Sequence, residues 1–184
     1  MLCTRAGLYS PGCCDTLYPA AQKGVTQLEY RKIRKEDEHI FHTLLEAYYR
    51  EGEDADTPQE ALNSFIGFLF SLVMAEVIRG CFVVEDGIPV GFALWAVDSD
   101  ALPFSQLPGL GTILEIGLIP GYRASGRGRA LAAYAECRLA EQGIRQCYIC
   151  AYQPAQPFWN RCGYTDSGTV ADNGLPILIK SILS

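Results

Sequence analysis

The sequence predicts a mixed α/β domain whose sheet begins with antiparallel strands and continues through one strand, loop, helix, strand crossover. Three observations support this fold class. Some segments repeat apolar residues at every second position and others at every third or fourth. The pair Asp86-Gly87 separates two β-rich runs, Cys81–Glu85 and Ile88–Val97, and favours a tight hairpin. Farther along, a glycine-containing loop separates a β-rich run from an amphipathic helix.

The segments before the hairpin read as one strand and two helices. A strand is expected over Gln27–Arg34, followed by a helix over Lys35–Tyr49 with one apolar stripe. Thr57-Pro58-Gln59-Glu60 combines a capping threonine, a proline at the first helical position and a reciprocal glutamate. This combination predicts the start of a second helix, which reaches Ile78.

The segments after the hairpin contain the crossover and the closing strands. Gly143 is expected to end the crossover helix in a left-handed conformation. The predicted elements are a strand over Thr112–Ile119, a helix over Arg129–Gln142, a strand over Gln146–Tyr152, a short helix over Ala155–Cys162, and strands over Tyr164–Thr169 and Pro176–Leu183.

Size and composition indicate one globular domain. The chain has 184 residues, of which 49% are hydrophobic and 20% charged. Residues 1–24 lack helical or strand periodicity, so we expect an irregular extension before a single domain over residues 25–184. The net charge of -6 argues against nonspecific binding to nucleic acid or to anionic membranes. No continuous apolar stretch resembles a signal peptide near the start, so a cytoplasmic location is the expectation.

The longest uncharged segment, Ala61–Ala75, is shorter than the roughly 20 residues that span a bilayer. It is predicted to be a core helix. Because this helix is apolar nearly all round, Phe65 and its neighbours could also face an apolar acceptor or a second copy of the chain, which leaves a homodimer open.

The glycine loop is Arg123-Ala124-Ser125-Gly126-Arg127-Gly128. Its position at the start of a helix lets successive backbone N–H groups and the positive helix end face an anion. Glycine allows the backbone to approach phosphate oxygens closely, and Arg127 and Arg129 add positive charge. A plain strand-to-helix turn with solvated arginines is the alternative.

This loop resembles the phosphate loop of the Gcn5-related N-acetyltransferase (GNAT) family, Gln/Arg-x-x-Gly-x-Gly/Ala, which follows a strand that ends near a proline. Here Pro120 precedes Arg123. The resemblance continues in the hairpin over Val83–Gly91. Downstream, the family's Ala-x-x-Phe-Tyr-x-x-x-Gly-Phe is similar to the residues at Ala155, Phe158, Trp159, Gly163 and Tyr164. Together these motifs extend over residues 27–184.

The resemblance implies a GNAT fold, with a mostly antiparallel sheet of six or seven strands, about four helices and a splayed central pair of strands. It also implies acetyl-CoA as co-substrate, with pantetheine between the strands Thr112–Ile119 and Gln146–Tyr152. The implied cofactor-binding residues are Leu118, Ile119, Arg123, Ala124, Ser125, Gly126, Arg127, Gly128, Arg129 and Phe158.

Two residues are candidates for proton transfer. Glu115 is the only acid on the strand that borders the implied cleft, and a carboxylate can deprotonate an acceptor ammonium. Strand alternation places it on the face opposite Leu118 unless a bulge intervenes, and an ordinary buried or edge carboxylate paired with an arginine is the alternative. Where the family has its acid tyrosine this chain has Trp159, whose indole N–H only donates hydrogen bonds. Tyr152, or solvent, is therefore the candidate that protonates the departing thiolate, with aromatic packing as the alternative for Tyr152.

The predicted activity is transfer of acetyl to a primary amine of a small molecule, a protein N-terminus or a lysine. The acceptor pocket is expected to come from residues 36–78 and 98–111. A non-catalytic acyl-CoA-binding domain and an interaction module that binds no cofactor are the alternatives. We predict no metal site, because residues three apart on an extended strand, such as Cys147 and Cys150, point to opposite faces.

Overall fold

A seven-stranded sheet forms the centre of the computed structural model, which describes residues 28–52, 56–123 and 126–182. The predicted extension over residues 1–24 lies outside the described residues. In the described residues, the strands are β1 (Glu29–Lys32), β2 (Arg79–Glu85), β3 (Ile88–Val97), β4 (Gly111–Leu118), β5 (Gln146–Cys150), β6 (Thr165–Val170) and β7 (Pro176–Ser181). The α-helices are α1 (Glu38–Glu51), α2 (Gln59–Met74), α3 (Arg127–Ala140) and α4 (Gln156–Arg161).

The strands lie in the order β1-β2-β3-β4-β5-β7-β6. Neighbouring strands are antiparallel except for β4 and β5, which run parallel. Register between β4 and β5 is confined to two pairs, Gly111 with Cys147 and Thr112 with Tyr148. Beyond Thr112 the two strands part, which confirms the predicted splayed pair within a mostly antiparallel sheet.

Successive side chains of β2 and β3 point to opposite faces of the sheet, so each strand contributes to a buried cluster on either face. Val83 and Ala93 pack with α3 in one buried cluster. Phe82 and Phe92, one position away on each strand, pack with α1 and α2 in another. The hairpin pair Asp86-Gly87 takes positive φ angles of 51° and 78°, as the sequence predicts.

The second helix differs from its prediction at both ends. Its N-cap is Pro58, and no side-chain capping hydrogen bond forms there among the described residues. The helix begins one residue later than predicted, with Leu62 N donating to Pro58 O at 3.0 Å, so the predicted threonine cap was wrong. At the other end, Glu76 has a φ of 57° and Val77 N donates to Leu72 O at 3.0 Å. This left-handed turn ends the helix early.

The connection between β3 and β4 is organised by Asp98, which is only 1% exposed. Its Oδ2 accepts hydrogen bonds from Tyr148 Oη at 2.7 Å, from Gln106 N at 2.9 Å and from Leu107 N at 2.6 Å. Burial opposes ionisation of Asp98, but hydrogen bonds, including those from Ser105 and Tyr148, lower the pKa of this carboxyl below its usual value.

We expect Asp98→Ala to lower the free energy of unfolding by about 3 kcal/mol, because buried donors lose a charged acceptor. Since the folded-state pKa is depressed, the contribution is present above the unfolded pKa of about 4 and is lost as pH falls through the folded value. Urea unfolding at pH 7 and at lower pH values measures both effects. Asp100→Ala is the matched control, because Asp100 is exposed in the same connection. Equal stability of the two variants would contradict this role for Asp98.

Candidate functional site

A cavity of about 1140 Å³ occupies the gap where β4 and β5 part. One end is lined by the start of α3 and by Phe158 of α4. The other end is lined by α1, by α2 and by the connection between β3 and β4. Both segments predicted to form an acceptor pocket, 36–78 and 98–111, therefore contribute lining residues.

The start of α3 presents backbone N–H groups beside this cavity. Gly126 is the N-cap with a φ of 80°, and the hydrogen bond from Ala130 N to Gly126 O, at 3.0 Å, closes the first turn. The N–H groups of a first helical turn have no acceptor four residues earlier, so this end carries partial positive charge. Gly126, Gly128 and Arg129 line the cavity. Ala124 and Ser125 lie outside the described residues.

Gly128 lies where α3 approaches α4. A Cβ added at this position would come within 3.1 Å of Phe158 Cε2 and 4.0 Å of Leu118 Cδ1, and both neighbours line the cavity. A contact of 3.1 Å is tighter than ordinary carbon packing. Glycine therefore keeps this part of the cavity wide enough for a narrow ligand.

Two of the predicted arginines already have acidic partners. Arg123 donates from Nε to Leu118 O at 2.7 Å, and its guanidinium forms an ion pair with Glu51. Arg127 pairs with Glu85 at 2.9 Å. Arg123 and Arg129 line the cavity, whereas the Glu85 carboxylate offsets the charge of Arg127.

Leu118 is the last residue of β4, and Ile119 follows it beside the loop. Ile119 N donates to Val90 O at 3.0 Å, so this amide is used within the protein. Leu118 lines the cavity, but its carbonyl accepts the bond from Arg123. A carbonyl oxygen has two lone pairs, so a ligand could share the Leu118 carbonyl with that side chain.

Glu115 follows a β-bulge in β4. Leu94 pairs with Glu115 and Trp95 with Ile113, which leaves Leu114 as the extra residue. Glu115 faces α1, where Tyr49 Oη donates to its Oε1 at 2.6 Å. The bulge precedes Glu115, so side chains alternate regularly from Glu115 to Leu118. Leu118 therefore lies on the opposite face of the sheet, where it packs with α3. Glu115 nevertheless lines the cavity, because the cavity extends between the strands.

Tyr152 and Trp159 lie on the β5 side of the cavity. Tyr152 follows β5, immediately before a 3₁₀ turn over Gln153–Ala155, and is 37% exposed. Trp159 is buried against Phe158 and Tyr164, with ring centroids 5.0 and 5.2 Å away. Trp159 thus contributes to packing, while Tyr152 is accessible from solvent.

An aromatic wall, which no sequence motif indicates, lies at the α1 and α2 end of the cavity. Tyr49, Phe65 and Phe104 all line the cavity there. Their only sequence signal is the apolar character of the helix that carries Phe65, which predicts core packing equally well. Their convergence requires the tertiary arrangement of three separate segments.

The described part of the chain has neither a membrane-spanning helix nor a cluster of metal-binding side chains. None of the helices in residues 28–52, 56–123 and 126–182 has the length and apolar character needed to cross a membrane. Within the same residues, no group of three or more histidine, cysteine, aspartate or glutamate side chains could hold a metal ion.

The parted strands and the glycine-started helix define an α/β protein of the acetyltransferase fold class. Residues 37–164 match the model of the acetyltransferase (GNAT) family, and the chain belongs to this family. No curated protein matches the sequence significantly.

Solved structures share the fold. The PaiA N-acetyltransferase from Thermoplasma acidophilum, in complex with coenzyme A, is 18% identical with a TM-score of 0.66, over 84% of this chain and 99% of that chain. A GCN5-related N-acetyltransferase from Ralstonia eutropha JMP134 is 26% identical with a TM-score of 0.65, over 79% and 97% of the two chains. A GNAT family acetyltransferase from Brucella melitensis, in complex with acetyl-CoA, is 16% identical with a TM-score of 0.61, over 85% and 89%.

Proposed function

We propose that the protein is an N-acetyltransferase that moves an acetyl group from acetyl-CoA to a primary amine by direct attack in a ternary complex. The observation that supports this most is the continuous cavity between β4 and β5. The N-terminus of α3 borders one end of it and the Glu115 carboxylate borders the other. Family membership and the neighbours solved with coenzyme A or acetyl-CoA support the choice of co-substrate.

The α3 end of the cavity is suited to the donor. The pyrophosphate would bind the backbone N–H groups at the start of α3, together with the loop residues Ala124 and Ser125. Arg123 and Arg129 would add charge-assisted hydrogen bonds. The narrow passage kept open by Gly128 fits the slender pantetheine arm, with Leu118 and Phe158 as its apolar walls.

Glu115 is the proposed general base. An alkylammonium near pKa 10 must lose a proton before it can attack a thioester, and a carboxylate performs this step directly or through water. The hydrogen bond from Tyr49 fixes the orientation of Glu115 toward the α1 side of the cavity. Tyr152, or solvent, would return a proton to the departing thiolate.

Direct attack requires that no cysteine of the site carries the acetyl group first. Cys150 and Cys162 line the cavity, and burial raises the pKa of both thiols. The pKa of Cys150 rises to about 11, with smaller contributions from Asp98 and Asp172. At neutral pH the thiol stays protonated and is a poor nucleophile.

We expect Cys150→Ala to retain kcat within about threefold. In the unchanged protein, alkylation of the Cys150 thiol by iodoacetamide should become fast only as pH approaches the raised pKa. Mass-spectrometric capture of acetyl-Cys150 during turnover would contradict direct attack.

Calorimetry with acetyl-CoA, followed by thiol release with a broad amine panel, tests the proposed function. Binding with acceptor-dependent release supports it. Binding of acetyl-CoA without thiol release with any amine favours a non-catalytic acyl-CoA-binding domain. Trp159 supports this alternative, because it occupies the position of the family's acid tyrosine. Absence of binding rejects both functions.

We also propose that residues 25–184 act as one domain in the cytoplasm. The strands from β1 to β7 share one sheet, and the net charge of -6 gives no basic surface for nucleic acid or anionic lipid.

A further inference from the structure

The cavity wall beside Glu115 is built from aromatic rings. Tyr49 and Phe65 meet edge to face with centroids 5.6 Å apart, and Phe65 lies 6.3 Å from Phe104. Phe68 supports Phe104 from outside the lining, at 6.1 Å. The hydroxyl at one end of this row, on Tyr49, donates to Glu115. An apolar surface therefore runs outward from the proposed base.

Three separate elements bring these rings together. Tyr49 belongs to α1, Phe65 to α2, and Phe104 to the connection that Asp98 organises through Gln106 N and Leu107 N. The wall is therefore held by fixed structure. Phe65 remains 37% exposed although its ring faces the cavity, so an apolar ligand there would remove further apolar surface from water.

The charges at this end suit one ammonium group better than several. Apart from Glu115, the carboxylates among the described lining residues are Glu51 and Asp172. Glu51 is paired with Arg123, and Asp172 exchanges hydrogen bonds with Gln106. A polyamine needs several acidic side chains to pair with its ammonium groups. At this end of the cavity, aromatic rings line the space between the carboxylates and favour an apolar ligand body.

We propose that the acceptor is a primary amine carried on an aromatic body. This inference rests on the proposed function and names its substrate class. The ring would lie against Phe65 and Phe104, with the amine toward Glu115. Glu115 takes one proton from the ammonium, and the neutral amine nitrogen then forms a bond to the acetyl carbonyl carbon as the carbon–sulfur bond breaks. The nitrogen releases its second proton to solvent, and the thiolate takes a proton from Tyr152 or solvent.

Thiol-release kinetics with three amines test the specificity. We expect kcat/KM for 2-phenylethylamine to exceed that for n-propylamine and that for spermidine by about tenfold or more. Phe65→Ala should lower kcat/KM for 2-phenylethylamine about tenfold more than it lowers kcat/KM for n-propylamine, mainly by raising KM. Val77→Ala is the matched control, because Val77 is as exposed as Phe65 and follows the same helix, but is not among the lining residues.

Equilibrium binding separates this inference from the proposed activity. Calorimetric titration of 2-phenylethylamine into the protein saturated with coenzyme A should show binding that Phe65→Ala weakens and Val77→Ala preserves. That result supports the aromatic acceptor site even if no amine causes thiol release, in which case the proposed activity fails alone. The inference is overturned by undetectable binding of 2-phenylethylamine, by preference for spermidine or n-propylamine, or by equal behaviour of the two variants. Concentration-dependent dimerisation that Phe65→Ala abolishes, without discrimination between amines, would overturn it in favour of a second copy as the occupant.

Discussion

Glu115→Gln is expected to lower kcat for an alkylamine acceptor by about two orders of magnitude, the usual contribution of a positioned general base. The amide cannot accept the ammonium proton but can still accept the hydrogen bond from Tyr49, so the local structure should persist. Steady-state thiol release measures the loss, and calorimetry should show acetyl-CoA binding unchanged.

A weakly basic acceptor, whose amine is already neutral at the assay pH, provides the internal control. The loss with this amine should be much smaller, because no proton has to be removed before attack. A merely structural role for Glu115 would lower the rate equally with both amines. Equal losses, or full activity in the variant, would remove Glu115 from the proposed mechanism.

The second large effect is expected at Gly126, which holds the start of α3 with a φ of 80°. Valine is strained in this left-handed conformation, so the loop must move and its N–H groups lose their common direction. We expect Gly126→Val to raise the Kd for acetyl-CoA about 100-fold or more, which corresponds to about 3 kcal/mol. Calorimetry measures the change directly.

Gly121→Ala is the matched control for Gly126→Val. An added Cβ at Gly121 meets no heavy atom of the described residues within 4 Å, and this glycine lies just before the loop. The control should bind acetyl-CoA normally. If Gly126→Val also binds normally while retaining its fold, the start of α3 is not the phosphate site.

Elements with local signals were predictable from sequence. Asp86-Gly87 specified the β2–β3 hairpin, and Gly143, with a φ of 81°, ends the turn that follows α3. The splayed pair of strands was also predicted, because the resemblance links the glycine loop to a known arrangement of the sheet. The hairpin turn and the turn after α3 need positive φ angles that few residue types adopt, so the residue types alone indicate where the turns occur.

Features set by distant contacts were not predictable in the same way. The capping motif at Thr57 was misleading: the first carbonyl that accepts a hydrogen bond within α2 is that of Pro58, and the helix ends before the left-handed residue Glu76. The bulge at Leu114 appears only in the register with β3. The aromatic wall combines Phe65 and Phe104, which no short-range pattern connects.

The limited pairing between β4 and β5 also affects self-association. A strand with unpaired backbone groups at the rim of a sheet can template the addition of another chain, which leads to fibrils. Here the part of β4 beyond Thr112 does not pair with β5, but it lies in the interior of the sheet and not at its rim. The pairs at Gly111 and Thr112 hold β4 and β5 together at one end of the gap. The side of β4 that faces this gap is therefore accessible to a small extended molecule but not to the edge strand of another chain.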